Sequence, residues 1–277
     1  MSTTSSSHPF ITFVGGGNMA SAILGGLLQK GHPTSALQVI EPWDAQRARL
    51  GEQFPGLRVH EAASDALHAS DLVVWAVKPQ TFKEAALEAG PHLGDALHLS
   101  VAAGITSESM AGWLKTERIV RAMPNTPALV GLGMTGLYAR DAVSAAERGL
   151  VETVIKTTGE LIWVSAETQL DAVTALSGSG PAYVFYFLEA MRDAGAEMGL
   201  PPELAQRLAM GTFAGATALA QQANETLQTM RARVTSKGGT TYAALTSMEA
   251  SQIKENFTKA MHAAHKRAEE LGVEFGG

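Results

Sequence analysis

Phe10-Ile11-Thr12-Phe13-Val14-Gly15-Gly16-Gly17-Asn18-Met19-Ala20 decides the fold of the first half of this chain. A short β-branched and aromatic run stops at three glycines, and helical spacing begins at once. Met19, Ile23, Leu24, Leu27 and Leu28 fall on one face, with Gly31 as the stop. Gly15, Gly17 and Ala20 fit G-x-G-x-x-[GA] in the strand–turn–helix context that the fingerprint requires. Gly15 makes the tight turn, Gly17 lets a pyrophosphate approach the backbone, and Ala20 lets helix and sheet pack closely. Val14, Gly16, Asn18 and Met19 complete the expected dinucleotide loop.

Strand and helix patterns alternate downstream of this unit. Strands are expected at Leu37–Ile40, Leu57–His60, Asp71–Val77, Leu97–Ala102, Arg118–Met123, Gly136–Arg140 and Leu161–Val164. Helical segments include Asp44–Phe54 and Asp65–Ala69. The almost continuously apolar run at residues 72–77 suits a strand buried on both sides, and the alternation predicts a parallel sheet covered on both faces. Near residue 165 the strands end. Pro181–Met198, Pro202–Ala223, Leu227–Ala232, Thr241–Glu249 and Gln252–Leu271 read as helices. Expected boundaries are therefore a flexible Ser/Thr-rich leader over 1–9, a dinucleotide-binding domain over 10–165 and a helical domain over 166–277. Ala209, Gly211, Ala214, Gly215, Ala216 and Ala218 put small residues on two faces of one helix. That favours close packing against other helices, either within the chain or from a second subunit.

The chain has 277 residues, 45% of them hydrophobic and 17% charged, with a net charge of −6 and no cysteine. This composition excludes disulfides, thiolate metal sites and a cysteine nucleophile. No basic tract suggests nucleic acid. No apolar run is long enough for a membrane span, and the first residues lack the pattern of a signal peptide. A cytoplasmic location is the expectation. The eight histidines are scattered. His262 and His265 sit three apart on a polar helix and read as surface residues, and no metal site is expected.

Several segments carry candidate chemistry. Glu41 ends the second expected strand, where a carboxylate would accept from a ribose 2′-hydroxyl. Arg47 and Arg49 follow it and would hold a 2′-phosphate instead if the loop turned them inward, so preference between NADH and NADPH stays open. Ala76-Val77-Lys78-Pro79, Ala102-Ala103-Gly104 and Pro124 lie at carboxyl ends of successive strands and would line one crevice. Val234-Thr235-Ser236-Lys237-Gly238-Gly239-Thr240-Thr241-Tyr242 places hydroxyls and paired glycines at the entrance of a helix. Such a turn serves as a helix cap or seats a small anion such as a carboxylate.

The chain resembles the pyrroline-5-carboxylate reductases. The segments carrying the resemblance are 14–20, 76–79, Arg121-Ala122-Met123-Pro124-Asn125-Thr126-Pro127, Leu176-Ser177-Gly178-Ser179-Gly180-Pro181-Ala182-Tyr183 and 234–241. They follow the family's order over nearly the whole chain. The resemblance implies a Rossmann-type α/β N-terminal domain and an all-α C-terminal dimerisation domain. It implies NAD(P)H-dependent reduction of (S)-1-pyrroline-5-carboxylate to L-proline, in a homodimer or a ring of dimers. Residues 14–19, Glu41, 76–79, 102–104 and Pro124 are the expected cofactor contacts. Ser236, Gly238, Gly239, Thr240 and Thr241 are the expected substrate contacts. Gly239 and Thr240 would offer N–H groups to the carboxylate, and the Thr241 hydroxyl would meet the ring nitrogen. Many members carry Pro where Lys237 stands, so this lysine's role is open.

Two rival readings share part of this pattern. The β-hydroxyacid dehydrogenases use a lysine on the helix after their second-domain glycine motif, and the segment 181–198 contains none. A nucleotide-sensing protein without turnover would keep the fold alone.

Overall fold

A computed structural model describes residues 8–276. Most of the expected leader therefore lies outside the described residues. The first part of the chain forms one eight-stranded sheet in the order β3-β2-β1-β4-β5-β6-β7-β8. Its strands are β1 (Ile11–Val14), β2 (Leu37–Ile40), β3 (Arg58–His60), β4 (Leu72–Trp75), β5 (Leu97–Ser100), β6 (Ile119–Met123), β7 (Gly133–Ala139) and β8 (Gly159–Trp163). The helices between them are α1 (Asn18–Gln29), α2 (Asp44–Gln53), α3 (Pro79–Ala89), α4 (Ser107–Leu114) and α5 (Ala145–Ile155).

Side-chain alternation divides the sheet's burial into two layers. Ile11, Phe13, Leu72, Val74, Leu97 and Leu99 join one core with α1 and α5. Val14, Val73, Trp75 and Ile119 join the other with α3 and α4. Both faces of the central strands are thus dry, which is why they read as unbroken apolar runs. Thr12 and Gln38 interrupt those runs without penalty, because Gln38 Nε2 donates to Thr12 Oγ1 at 2.8 Å.

The sheet is not wholly parallel. β6 and β7 pair antiparallel, while the other neighbours run parallel. A short 3₁₀ turn at Thr126–Val130 joins these two strands. It is too short for the crossover that a parallel neighbour needs.

Packing divides the chain elsewhere than the expected boundary at 165/166. One unit runs to Ser179 and also takes in Ala264 onward, and the other is Gly180–Ala263. The strands end near 165, but α6 (Gln169–Val173) and the π turn Thr174–Gly178 still belong to the sheet unit. Polar bonds hold them there. Glu167 accepts from Ser107 N–H and Ser107 Oγ, each at 2.6 Å, and from Arg121 NH1 at 2.7 Å. Burial opposes ionisation of Glu167, yet Ser107 and Arg121 outweigh it and hold the carboxyl below its usual range. Asn125 Nδ2 donates to Ser177 O and Ser177 Oγ at 3.2 Å, while Asn125 Oδ1 accepts from Met134 N–H at 2.9 Å.

The second unit holds α7 (Gly180–Glu197), α8 (Pro202–Gln222), α9 (Leu227–Arg233) and α10 (Thr240–Ala250). The last helix, α11 (Ile253–Phe275), begins in this unit and ends in the first. A Cβ built on Gly195 lies 2.7 Å from Ala205 Cβ, so α7 and α8 touch through small residues. Tyr183 and Phe187 meet Phe257 edge-on at 5.6 and 5.5 Å. Beyond these contacts little is buried. Phe185, Tyr186, Leu208, Met210, Leu219 and Leu227 are all exposed. That is more apolar surface than a monomer normally leaves in water.

One buried pair in the sheet unit makes a pH-dependent stability term. Trp75 Nε1 donates to His98 Nδ1 at 3.0 Å, so the neutral ring carries its proton on Nε2. Burial, with Arg118 nearby, lowers the His98 pKa to about 4. Between the unfolded value near 6.5 and the folded value near 4, the unfolded chain binds the extra proton. Stability is full above the first value and falls as pH drops toward the second. The cost reaches on the order of 3 kcal/mol. Denaturant unfolding of wild type and His98→Asn at pH 7 and pH 4 checks this. The wild type should lose about that much more than the variant.

Candidate active site

The expected cofactor residues of the sheet unit gather at the carboxyl edge of the strands. Register aligns Val14 with Ile40 and Trp75, and Trp75 with Ser100, so the loops after β1, β2, β4 and β5 leave along one edge. This is the ligand edge of a doubly wound sheet.

The glycine loop has three residues with three different constraints. Gly15 has φ +92°, and a Cβ built there would lie 2.7 Å from Ala76 O and 2.9 Å from Val77 Cγ1. Its N–H donates to Ile40 O at 2.8 Å. Gly16 has no space either, since its Cβ would lie 2.4 Å from Leu50 Cδ1. At Gly17 nothing stands within 4 Å. The glycine there leaves open space at the first turn of α1. No side chain caps that helix, and its first turn carries no acidic residue. Its free N–H groups and positive dipole end fit a pyrophosphate, worth ~0.3–1 kcal/mol per charge at an exposed site. Contrast α5, where Ser144 and Glu147 close a capping box. Ala20 is wholly buried and seats the helix on the sheet.

Glu41 is fixed before any ligand arrives. Its Oε2 accepts from Gly16 N–H at 2.9 Å and its Oε1 from Trp43 N–H at 3.0 Å. Gln46, which no sequence signal picks out, donates to Gly16 O at 2.6 Å. Arg47 NH1 donates to Glu41 O at 3.0 Å and Pro42 O at 2.7 Å. Arg47 NH2 pairs with Asp44 and lies 3.6 Å from Glu61. Arg49 is exposed and pairs with none of the described residues.

A cleft of about 310 Å³ opens beside this loop, lined by Gly15, Ile40, Pro42, Glu61, Val77 and Thr81 among others. Val77 is thus a wall of the cleft, while Ala76 presses its carbonyl against Gly15. Lys78 caps α3 through its backbone, with Pro79 in the first turn, and its side chain is exposed. Ala102 N–H donates to Ser100 Oγ at 3.2 Å. Ala103 stands beside it, half-buried. Gly104, at φ +74°, packs under Leu271 of α11, with its Cβ position 3.1 Å from Leu271 Cβ. Pro124 follows the end of β6.

The loop before α10 lies in the second unit. Gly238 has φ +76° and Gly239 is the N-cap. A Cβ on Gly239 would lie 2.5 Å from Ser236 Oγ. Gly239 N–H, an expected carboxylate donor, donates to Ser236 O at 3.0 Å and closes the turn. The N–H groups of Thr240 and Thr241 have no acceptor among the described residues, and no side chain caps the helix. The donors open to an anion are therefore shifted one residue along the chain. Thr241 is half-buried, and its hydroxyl makes no hydrogen bond among the described residues. Lys237 is exposed and forms none of the described ion pairs. No group of three metal-ligating side chains occurs among the described residues.

Family models match two parts of the chain. One, described as pyrroline-5-carboxylate reductase dimerisation, matches residues 167–271. The other, described as NADP oxidoreductase coenzyme F420-dependent, matches residues 10–104. The dimerisation match covers the helices whose apolar side chains stand exposed. A pyrroline-5-carboxylate reductase of Pseudomonas aeruginosa is 41% identical over 272 residues, covering 98% of this chain and 99% of that one. A solved reductase from Coxiella burnetii superposes with TM-score 0.88 at 37% identity, covering 96% and 99% of the two chains. The Plasmodium falciparum pyrroline carboxylate reductase, solved with NADP bound, gives TM-score 0.85 at 27% identity over 95% and 98%. With this identity along nearly its full length, the chain belongs to the pyrroline-5-carboxylate reductase family.

Proposed function

We propose that this chain reduces the C=N bond of (S)-1-pyrroline-5-carboxylate to L-proline with NAD(P)H, the last step of proline biosynthesis. The observation that carries the reading is a pair of uncapped helix N-termini, each opened by glycine. Gly17 leaves α1 open at the strand edge, and Gly238-Gly239 leave α10 open in the helical unit. A dinucleotide and a carboxylate substrate each need one such seat.

Bound NAD(P)H supplies the hydride. The protein's own task is placement, because a protonated cyclic imine is already a strong electrophile. Thr240 and Thr241 N–H groups hold the carboxylate. The Thr241 hydroxyl hydrogen-bonds the ring nitrogen and fixes which carbon is presented. A threonine hydroxyl is far too weak an acid to protonate the nitrogen outright, so the proton on nitrogen comes from water. Ser236 and Gly238 shape the turn, and Lys237 is left to solvent. α7 carries no lysine, which removes the base that a β-hydroxyacid dehydrogenase would use. The exposed apolar faces of α7 and α8 pair with a second copy, in a homodimer or a ring of dimers.

Two variants separate the two seats. Thr241→Ala should lower kcat/KM for the imine by roughly tenfold to a hundredfold, the worth of a hydrogen bond to a charged group. Its affinity for NAD(P)H should stay within twofold. Steady-state absorbance of NAD(P)H and a cofactor titration read the two quantities, and an equal loss in both would remove Thr241 from the substrate. Gly17→Ala meets no protein atom, so its melting temperature should stay within about 2 °C of wild type. Its dinucleotide affinity should fall about tenfold or more, because the methyl occupies the phosphate's approach. No oxidation of NADH or NADPH by folded protein supplied with pyrroline-5-carboxylate would end the reductase reading.

A further inference from the structure

We propose that this chain selects NADH over NADPH, and that Glu41 is the residue that reads the adenosine ribose. The inference rests on the dinucleotide reading above and adds a direction to it. Sequence alone left Glu41 and the following arginines in competition. The geometry separates them.

Glu41 is held on both oxygens by backbone N–H groups, Gly16 on Oε2 and Trp43 on Oε1. A carboxylate has about four acceptor positions, so two remain for the 2′- and 3′-hydroxyls of a ribose. The carboxylate is anchored to the glycine loop itself and costs little to order when the ribose arrives. A 2′-phosphate would meet that same fixed charge.

Of the two arginines that could offset such a phosphate, Arg47 is committed and Arg49 lies on an exposed part of α2. Both NH1 protons of Arg47 go to carbonyls, those of Glu41 and Pro42. Its NH2 faces Asp44 and Glu61. Recruiting this guanidinium to a phosphate breaks bonds that fix the β2–α2 turn. Arg49 lies beyond the first turn of α2, on an exposed face.

The three residues ahead of α2 offer an anion no free backbone donor among the described residues. Glu41 N–H donates to His60 O at 2.9 Å, Pro42 has none, and Trp43 N–H serves Glu41. Asp44 then places a carboxylate in the first turn of α2, where a phosphate would otherwise find the positive end of the dipole. The neighbouring cleft adds Glu61, Glu84 and Glu88, with no Lys or Arg among the described residues that line it. Every charged side chain lining that cleft is acidic.

Direct binding tests this without reference to turnover. Intrinsic fluorescence or calorimetric titration is run with NADH and NADPH, and with 5′-AMP and 2′,5′-ADP as fragments that isolate the ribose. Wild type should bind NADH at least tenfold more tightly than NADPH, and 5′-AMP more tightly than 2′,5′-ADP. Glu41→Gln, checked by thermal melting for a folded state, should narrow both gaps several-fold. Arg49→Ala should leave all affinities unchanged. NADPH binding equal to or tighter than NADH overturns the preference. A gap that survives Glu41→Gln overturns Glu41 as its source, and a loss of NADPH affinity alone in Arg49→Ala assigns the phosphate to Arg49 and overturns the proposal as well. Failure of both dinucleotides to bind folded protein overturns the dinucleotide reading itself, and this proposal with it.

Discussion

The turn after β1 has no room for a side chain, and the rest of the sheet unit is organised around that fact. Gly15 holds a positive φ with its α-carbon against the carbonyl of Ala76, the first residue after the central strand β4. This contact brings the end of β1 against the end of β4, lets Gly15 N–H reach Ile40 O on the other side, and aims α1 outward from the edge. Gly16 then passes between Leu50 and Glu41, so α2 and the Glu41 carboxylate take their places from the same turn. Any L side chain at Gly15 would strain the backbone as well as overlap the Ala76 carbonyl.

The helical unit solves a different problem. Its helices approach through Gly195 and Ala205 and share a small aromatic cluster, but they leave large apolar residues in water. A surface of this kind is costly for a single chain and natural for one that is completed by another. The same unit carries the open N-terminus of α10. Helix pairing and the turn before α10 thus draw on one sequence habit, small residues where close approach is needed.

Much of this was legible in the residues, for identifiable reasons. Strands buried on both faces announce themselves as apolar runs, and β1 and β4 stand out on that ground. The fingerprint glycines were legible because each backbone constraint excludes other residues. Strand direction was not, since period-two patterning is the same whichever way a strand runs, so the antiparallel β7 had to come from the length of the turn before it. Packing parts the chain at 179/180 because residues 166–179, though they follow the last strand, are held to the sheet by Glu167 and Asn125. Commitments of single N–H groups were also invisible. Trp43 and Gly16 turn toward Glu41, and Gly239 turns toward Ser236, through backbone geometry that no local sequence preference specifies.

The central claim is that hydride passes from a nicotinamide to the imine carbon of a five-membered ring. Isotope transfer tests it most directly. Folded protein is incubated with pyrroline-5-carboxylate and nicotinamide cofactor fully deuterated at C4, and the product is analysed by mass spectrometry. The proline should carry one deuterium, on the ring carbon formerly double-bonded to nitrogen. Proline without deuterium, or no proline from protein that binds both ligands, would contradict it.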